Sequence, residues 1–241
     1  MRSSDETLGR QVKLPFPLLE GRLVRRYQRF LTDVELADGT VVTAHTPNTG
    51  SMKQCAVPGY PVLISRSGNP KRKLPFTLEL IRVNGHWVDT HTHRTNRVVE
   101  EGLRRGWIPE LAGFEVTPEF SIGESRIDFL LEKGGERVLV EVKNVTLTCA
   151  PAVACFPDAP TERGRKHLRE LLAARKKGYR SVIFFLVQRG EATAFTPADG
   201  IDPEYGQLLR TVAEKGVEVL AYKSVVSPPE NRTGERIPVM L

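Results

Sequence analysis

Three charged side chains interrupt two apolar runs between Arg126 and Asn144. In RIDFLLEKGGERVLVEVKN, Asp128 stands inside Ile-Asp-Phe-Leu-Leu, and Glu141 and Lys143 stand inside Val-Leu-Val-Glu-Val-Lys. Strand side chains alternate faces. Val138, Val140 and Val142 therefore take one face, and Arg137, Leu139, Glu141 and Lys143 the other. In the preceding run Ile127, Phe129 and Leu131 share a face, with Asp128 and Leu130 opposite. Gly134-Gly135 joins the runs, which predicts a hairpin that brings Asp128 and Glu141 side by side away from the turn. Two carboxylates within about 4–6 Å cannot both ionise cheaply unless a cation lies between them. Lys143 supplies one cation. A divalent ion, Mg²⁺ or Mn²⁺, is a better one, since Mg²⁺ binds through one or two carboxylates and completes its shell with waters and substrate phosphates. Asp128 and Glu141 are thus candidate metal ligands. Lys143 is a candidate catalytic residue that orients or deprotonates a metal-activated water for phosphodiester hydrolysis. The ordinary alternative is a hairpin whose polar face is simply wet.

The flanking segments determine whether these groups meet. TNRVVEEGLRRG (95–106) reads as a helix capped by Thr95 or Asn96 and stopped by Gly106. At 100° per residue, Asn96, Val99, Glu100 and Leu103 fall in one arc, so Glu100 borders the inward stripe as an accessory carboxylate and Glu101 points away. TERGRKHLRELLAARKKG (161–178) is a helix capped by Thr161 and ended by Gly178. Leu168, Leu171 and Leu172 form its packing stripe. Arg163, Lys166 and His167 lie on the other side, as a solvated face or as a phosphate-binding face near a helix N-terminus that favours anions. Asp158 forms a turn or adds an acid. Strands are expected at 114–122, 125–132, 137–144, 181–188 and 217–226, and a helix at 202–216. Together they predict an α/β domain with a mixed sheet. The tail beyond Val226, with Pro228-Pro229, reads as a surface strap.

The first third has another character. Strands are expected at 21–31, 32–38, 40–45, 61–67 and 76–85, with Asp38-Gly39 as a hairpin turn. Five short strands predict a small β-barrel of the kind that binds oligonucleotides. Residues 1–89 hold 13 Lys+Arg against 8 Asp+Glu, whereas residues 90–241 hold 22 against 21. The excess positive charge therefore resides in the barrel, which points to a polyanion. Arg25, Arg26 and Arg29 with Tyr27 and Phe30 mix cations and aromatics on one strand. Lys71, Arg72 and Lys73 fill a loop. Asn48 and Ser51 lie in a turn-rich PNTGSM segment, to contact phosphate or close the turn. Basic grooves with stacking aromatics suit single-stranded nucleic acid.

The longest apolar run, VIFFLV (182–187), is far too short to span a bilayer, so no membrane partner is expected. MRSSDETLGR lacks an apolar leader core, which suggests a cytoplasmic protein. With three cysteines and no such leader, free thiols are expected rather than a disulfide framework.

Helix-Glu, strand-Asp and strand E-x-K resembles the PD-(D/E)xK nuclease superfamily. The longer stretches HTPNTGSM (45–52), NPKRKLPFTLELI (69–81), SRIDFLL (125–131), EVKNVTL (141–147), FPDAPTERGRKHLREL (156–171), VIFFLVQ (182–188) and GVEVLAYK (216–223) resemble the sugar fermentation stimulation protein A family across nearly the whole chain. Ile127 stands where the superfamily motif has proline, a position without a chemical role. The resemblance implies an OB-fold domain at 1–89, a nuclease-like domain at 90–241 and DNA binding. It implies metal ligands at Asp128 and Glu141, a catalytic Lys143 and an accessory Glu100. A non-enzymatic DNA-binding regulator of sugar-utilisation genes, with the nuclease fold as scaffold, is the alternative, and RNA is an alternative partner.

Overall fold

Period-two patterning and tight turns build a closed barrel from β1 (Leu18–Tyr27), β2 (Leu31–Leu36), β3 (Val41–His45), β4 (Pro61–Arg66) and β5 (Phe76–Val83), extended by β6 (His86–Asp89). The structure, a computed structural model, describes residues 12–122 and 125–241; the leader reading of residues 1–10 lies outside them. Antiparallel pairing links β1 to both β2 and β4, and a short parallel contact of β3 with β5, Ala44↔Phe76 and His45↔Thr77, closes the ring. This is the OB-like architecture expected. Leu23, Val34, Ala44, Ile64, Leu78 and Ile81 fill the interior. Gly21 marks the close crossing of β1 over β2: a Cβ there would come within 2.5 Å of Val34 Cγ1 and 2.8 Å of the Glu35 carbonyl. The first strand ends at Tyr27, earlier than expected. Gln28 and Arg29 take positive φ in a turn, so Arg29 and Phe30 leave the strand.

The second unit is a six-stranded mixed sheet flanked on both faces. Its strands are β7 (Glu115–Ile122), β8 (Ser125–Lys133), β9 (Glu136–Val145), β12 (Arg180–Val187), β14 (Glu218–Ser227) and β15 (Glu230–Arg236), in the order β15-β14-β12-β9-β8-β7. β12 runs parallel to both β9 and β14, which makes β9 a central strand. One face packs on α1 (Thr92–Arg104) through Val98, Val99 and Leu103 against Val138, Val140, Phe184 and Leu186. The other packs on α2 (Glu162–Arg175) and α3 (Pro203–Glu214) through Leu168, Leu171, Tyr205 and Leu209 against Leu139, Ile183 and Phe185. Residues Val182–Val187 are fully buried because each face of β12 meets a helical layer.

Several expectations need correction. The tail is not a strap: β15 pairs with β14, and Asn231 and Thr233 are buried in that edge. Its polar residues conceal it, because their partners come from other elements. The short β10 (Leu147–Ala150), β11 (Val153–Phe156) and β13 (Ala194–Pro197) form a separate three-stranded sheet, each strand too short to show a period. Cys149 and Cys155 are joined by a disulfide across β10 and β11 rather than free, since antiparallel pairing holds their Cα atoms 5.8 Å apart. Cys55 is a free, buried thiol. Helix α1 starts at Thr92, three residues before the expected cap, with His91 at the cap position.

That early start has an electrostatic cause. Arg94 is buried and forms ion pairs with Glu79 of β5 and, at 2.8 Å, with Asp89 of β6. Ser65 donates to Glu79 at 2.6 Å. Asn231 donates to Asp89 at 2.7 Å and accepts from Ser224 at 2.6 Å. The network joins barrel, helix and edge strands. Burial opposes the charge on Arg94, but Asp89 and Glu79 hold it protonated. Arg94→Ala leaves two carboxylates buried without their cation. It should destabilise the chain by about 3–5 kcal/mol, read from urea unfolding of the full chain. A loss under about 1 kcal/mol would contradict this placement.

Candidate functional site

Asp128 occupies a break in the sheet. The β7–β8 ladder pairs Pro118 with Phe129 and Phe120 with Ile127, omitting Glu119, which takes a left-handed φ of 56°. The β8–β9 ladder ends at Phe129↔Val140. Ile127 and Leu130 pack in the α2/α3 layer, and Phe129 and Leu131 in the α1 layer. The expected sharing of a face by Ile127, Phe129 and Leu131 therefore fails, because strict alternation requires an unbroken ladder. Released from that ladder, the Asp128 carboxylate accepts the Val142 N–H at 2.8 Å and the Asn96 amide of α1 at 2.7 Å.

Glu141 lies on β9 at the same level, buried beneath α2. Its Oε1 accepts from Lys143 Nζ at 2.6 Å and meets His167 Nδ1 in a short contact, while Lys143 Nζ and His167 Nδ1 lie 3.0 Å apart. Its Oε2 is buried without a hydrogen-bond partner among the described residues. Burial opposes ionisation of Glu141, but His167 and then Lys143 outweigh it and hold the carboxyl below its usual range. Asp128 moves the other way: burial and then the charge of Glu141 raise it, against the pull of Val142 N–H, Lys143 and Asn96. A buried carboxylate with one charged oxygen satisfied and the other bare, beside a second carboxyl that resists ionisation, suits a divalent cation. Among the described residues no group of three or more His, Cys, Asp or Glu forms a closed metal cage. An ion here would draw on these two carboxylates, solvent and an incoming phosphate.

These groups line a cleft of about 410 Å³ between the two units. The barrel contributes the 47–52 loop, which is held from three sides. Arg26 donates to the carbonyls of Asn48, Gly50 and Ser51. Asp158 accepts from Ser51 N at 2.7 Å and from Met52 N at 3.3 Å. Thr92 donates to the Pro47 carbonyl. Arg26 is thus a clamp rather than a free phosphate contact, half-buried and with its basicity lowered by burial. Asn48 is buried, closes its own turn onto Gly50 N, and lines the cleft. The other wall is the N-terminal turn of α2, where Thr161 accepts from Gly164 N. Arg163 is exposed and lines the cleft. Lys166 is exposed and turned to Glu170 at 3.6 Å. His167 departs from the expected outer face: it is buried against Glu141, and Arg163 reaches its other nitrogen at 3.4 Å.

A second cavity of about 580 Å³ continues the trough and shares Thr92, Asn96, Asp128 and Arg163 with the first. Glu100 lines it, half-exposed and paired with Arg104 at 2.8 Å. Glu101, expected in solvent, is buried instead. It accepts the Val12 N–H at 2.9 Å and pairs with Arg105 at 2.8 Å. The N-terminal chain and β15 cover the side of α1 that its own periodicity leaves polar. The remaining basic residues are scattered. Arg25 is exposed, pairs with Asp33 at 2.8 Å and stacks on Tyr27. Arg29 lies in the β1–β2 turn, and Lys71, Arg72 and Lys73 lie in the β4–β5 turn.

The comparisons with known proteins agree with this two-unit arrangement. The model of the SfsA N-terminal OB domain matches residues 24–89, and that of the sugar fermentation stimulation protein RE domain matches residues 93–230. A sugar fermentation stimulation protein homolog from Syntrophotalea carbinolica is 66% identical over 230 residues, covering 95% of this chain and 100% of that relative. The chain belongs to the sugar fermentation stimulation protein family. A homolog from Geobacter metallireducens is 55% identical over 233 residues, with the same coverage of both chains. The solved structure of Pyrococcus furiosus SfsA in complex with Ca²⁺ superposes with a TM-score of 0.86 at 26% identity, covering 97% of this chain and 100% of that one. The architecture of an OB-like barrel followed by a mixed-sheet unit therefore holds here. Among the described residues no helix is long and apolar enough to cross a membrane.

Two site residues take roles that the sequence pattern does not assign: Asn96, in the inward arc, donates to Asp128, and His167, a candidate phosphate contact, turns inward to Glu141 instead. A leucine stripe alone does not show that the sheet below α2 carries a buried carboxylate in need of a donor.

Asp128 yields a pH test. A carboxyl with a raised folded pKa costs stability as pH rises through that value, since its proton must leave a fold that favours keeping it. Without divalent metal, wild type should lose stability relative to Asp128→Asn between about pH 4 and about pH 7, measured as urea midpoints. A constant difference across that range would refute the assigned environment. Glu101→Gln should lower the melting temperature more than Glu100→Gln, because only Glu101 is buried and tied to the Val12 backbone; equal shifts would refute the revised orientation of α1.

Proposed function

We propose that this chain is a DNA-binding protein with a divalent-metal-dependent nuclease-like site that hydrolyses phosphodiester bonds. The observation that carries the reading is the buried, unpartnered Oε2 of Glu141 beside the raised Asp128, at the floor of a cleft whose rim carries Arg163 and the N-terminus of α2. The Pyrococcus furiosus relative was solved in complex with Ca²⁺, a hard cation that takes oxygen ligands, and this supports a divalent cation as the group that Asp128 and Glu141 hold here. Mg²⁺ or Mn²⁺ held by Asp128 and Glu141 supplies a water of lowered pKa and neutralises phosphate charge. Lys143 lies 2.6 Å from Glu141, where its ammonium steadies the carboxylate and orients the attacking water. His167 holds the same carboxylate oxygen and keeps Glu141 ionised. Asn96 fixes the Asp128 rotamer. Arg163 and the α2 N-terminus attract the phosphodiester, and Glu100 lines the neighbouring cavity as an accessory carboxylate.

The reading is tested by incubating purified protein with labelled DNA and RNA in Mg²⁺, Mn²⁺ or EDTA. Cleavage is expected with metal and not with EDTA. Lys143→Ala should abolish it while leaving DNA binding nearly intact, because binding is shared over many contacts. If wild type cleaves neither polymer with either metal, or if Lys143→Ala cleaves as fast, the enzymatic reading fails and the non-enzymatic regulator replaces it. Independently, Mn²⁺ should raise the melting temperature of wild type by mass action and leave Asp128→Asn unmoved; equal shifts would remove the metal from these residues.

A further inference from the structure

A third cavity, of about 450 Å³, opens on the barrel between the end of β3, the β4–β5 turn and the start of α1. His45, Arg66, Arg72, His91 and His93 converge on it. The carboxylate among its lining groups, Glu79, is already engaged by Ser65 and Arg94. Three imidazole rings line it, and two of its lining side chains, His45 and Arg66, pack on phenylalanine rings outside the lining. His45 stacks on Phe30 at 6.2 Å with planes 16° apart, and Phe30 is 40% exposed. The Arg66 guanidinium lies over the Phe76 ring at 5.9 Å. Helix α1 begins here with no acidic residue in its first turn and no side-chain cap, which adds the positive end of its dipole. Burial and then Arg72 lower the basicity of His45. Burial and then Arg94 bring His91 down to about 4. At neutral pH these imidazoles are uncharged aromatic surfaces, and Arg66 and Arg72 carry the fixed charge.

The cavity also has a route to the carboxylates. His93 lines both it and the second cavity, where Arg97 and Arg126, the latter paired with Glu119, also lie. That cavity shares Asp128 and Arg163 with the cleft over Glu141. We propose that this barrel cavity is a nucleotide subsite that stacks one unpaired base on the His45 ring, itself packed on Phe30, and holds its phosphate with Arg66 and Arg72, so that a single strand runs from it along the trough to Asp128 and Glu141. The inference rests on the nuclease-like reading and narrows its substrate to single-stranded DNA. A duplex keeps its base faces stacked inside and cannot offer one to the His45 ring, whereas an unpaired strand can. Backbone charge alone would attract both forms alike.

The test uses the full chain carrying Lys143→Ala, so that binding is read without cleavage, with a fluorescein-labelled oligonucleotide as single strand and as duplex of the same sequence. By fluorescence anisotropy the single strand should bind about tenfold more tightly than the duplex. His45→Ala should weaken single-strand binding by about tenfold, the scale of one base–aromatic stack, and barely change duplex binding. His45→Phe, which keeps a stacking ring, should restore most of the affinity and controls for a general effect on folding. Arg66→Ala with Arg72→Ala should weaken single-strand binding and flatten its salt dependence by about two contacts. The proposal is overturned if His45→Ala binds the single strand as tightly as its parent, or if it weakens both forms equally. These outcomes are separable from failure of the nuclease reading. A wild-type chain that cleaves with Mn²⁺ while the His45 and Arg66/Arg72 variants bind normally refutes the subsite alone. Selective loss of single-strand binding in a chain that never cleaves refutes the enzyme alone.

Discussion

A buried guanidinium cannot be left without counter-charges, and Arg94 sets the layout of this molecule through that requirement. Its two carboxylates come from the barrel, one from β5 and one from β6, and Asn231 from the far edge of the second sheet completes the shell. The partners converge from elements far apart in sequence. The barrel can therefore sit on the second unit essentially one way if Arg94, Glu79 and Asp89 are all to be satisfied. The same contact determines where α1 begins. Starting the helix at Thr92 directs Asn96 onto Asp128 and turns Glu100 into the trough while Glu101 goes beneath the N-terminal chain.

The site itself obeys the same rule incompletely. Around Arg94 the carboxylates have donors from several directions. At Glu141 one oxygen takes both Lys143 and His167 and the other has none. Next to it, Asp128 has two good hydrogen bonds and still resists ionisation, because it is buried beside another acid. A fold selected for stability alone gains nothing from such a pair. An incompletely satisfied pair of carboxylates at the floor of a cleft is the local inconsistency expected where chemistry or binding is performed.

Charge in the barrel divides the same way. Arg26 is spent on three carbonyls of the loop that frames the cleft, and Arg25 partly on Asp33. Cations near the trough include Arg72 of the β4–β5 turn, Arg97 of α1, Arg126 of β8 and Arg163. A count of basic residues identifies the polyanion-facing half of the chain but does not separate clamps from contacts. Both use the same side chain, and the deciding factor is whether main-chain carbonyls happen to lie within reach.

The sequence by itself determined the local elements and the identity of the reactive groups. Alternating apolar residues and Asp38-Gly39 define the barrel hairpins. The Thr161 cap and leucine stripe define α2. Val182–Val187 could only be a strand buried on both faces, and Asp128, Glu141 and Lys143 stand out because carboxylates and ammonium groups do not belong in such strands. These features depend on neighbours one to four positions away, which sequence displays directly. Tertiary structure decided what depends on distant partners. It turned His167 inward to meet Glu141, buried Glu101 rather than Glu100, made Arg26 a clamp, paired Cys149 with Cys155 and drew the polar tail into β15. For His167, Glu101 and Arg26 the choice rests on a donor or an acceptor many residues away, and periodicity contains no information about such partners.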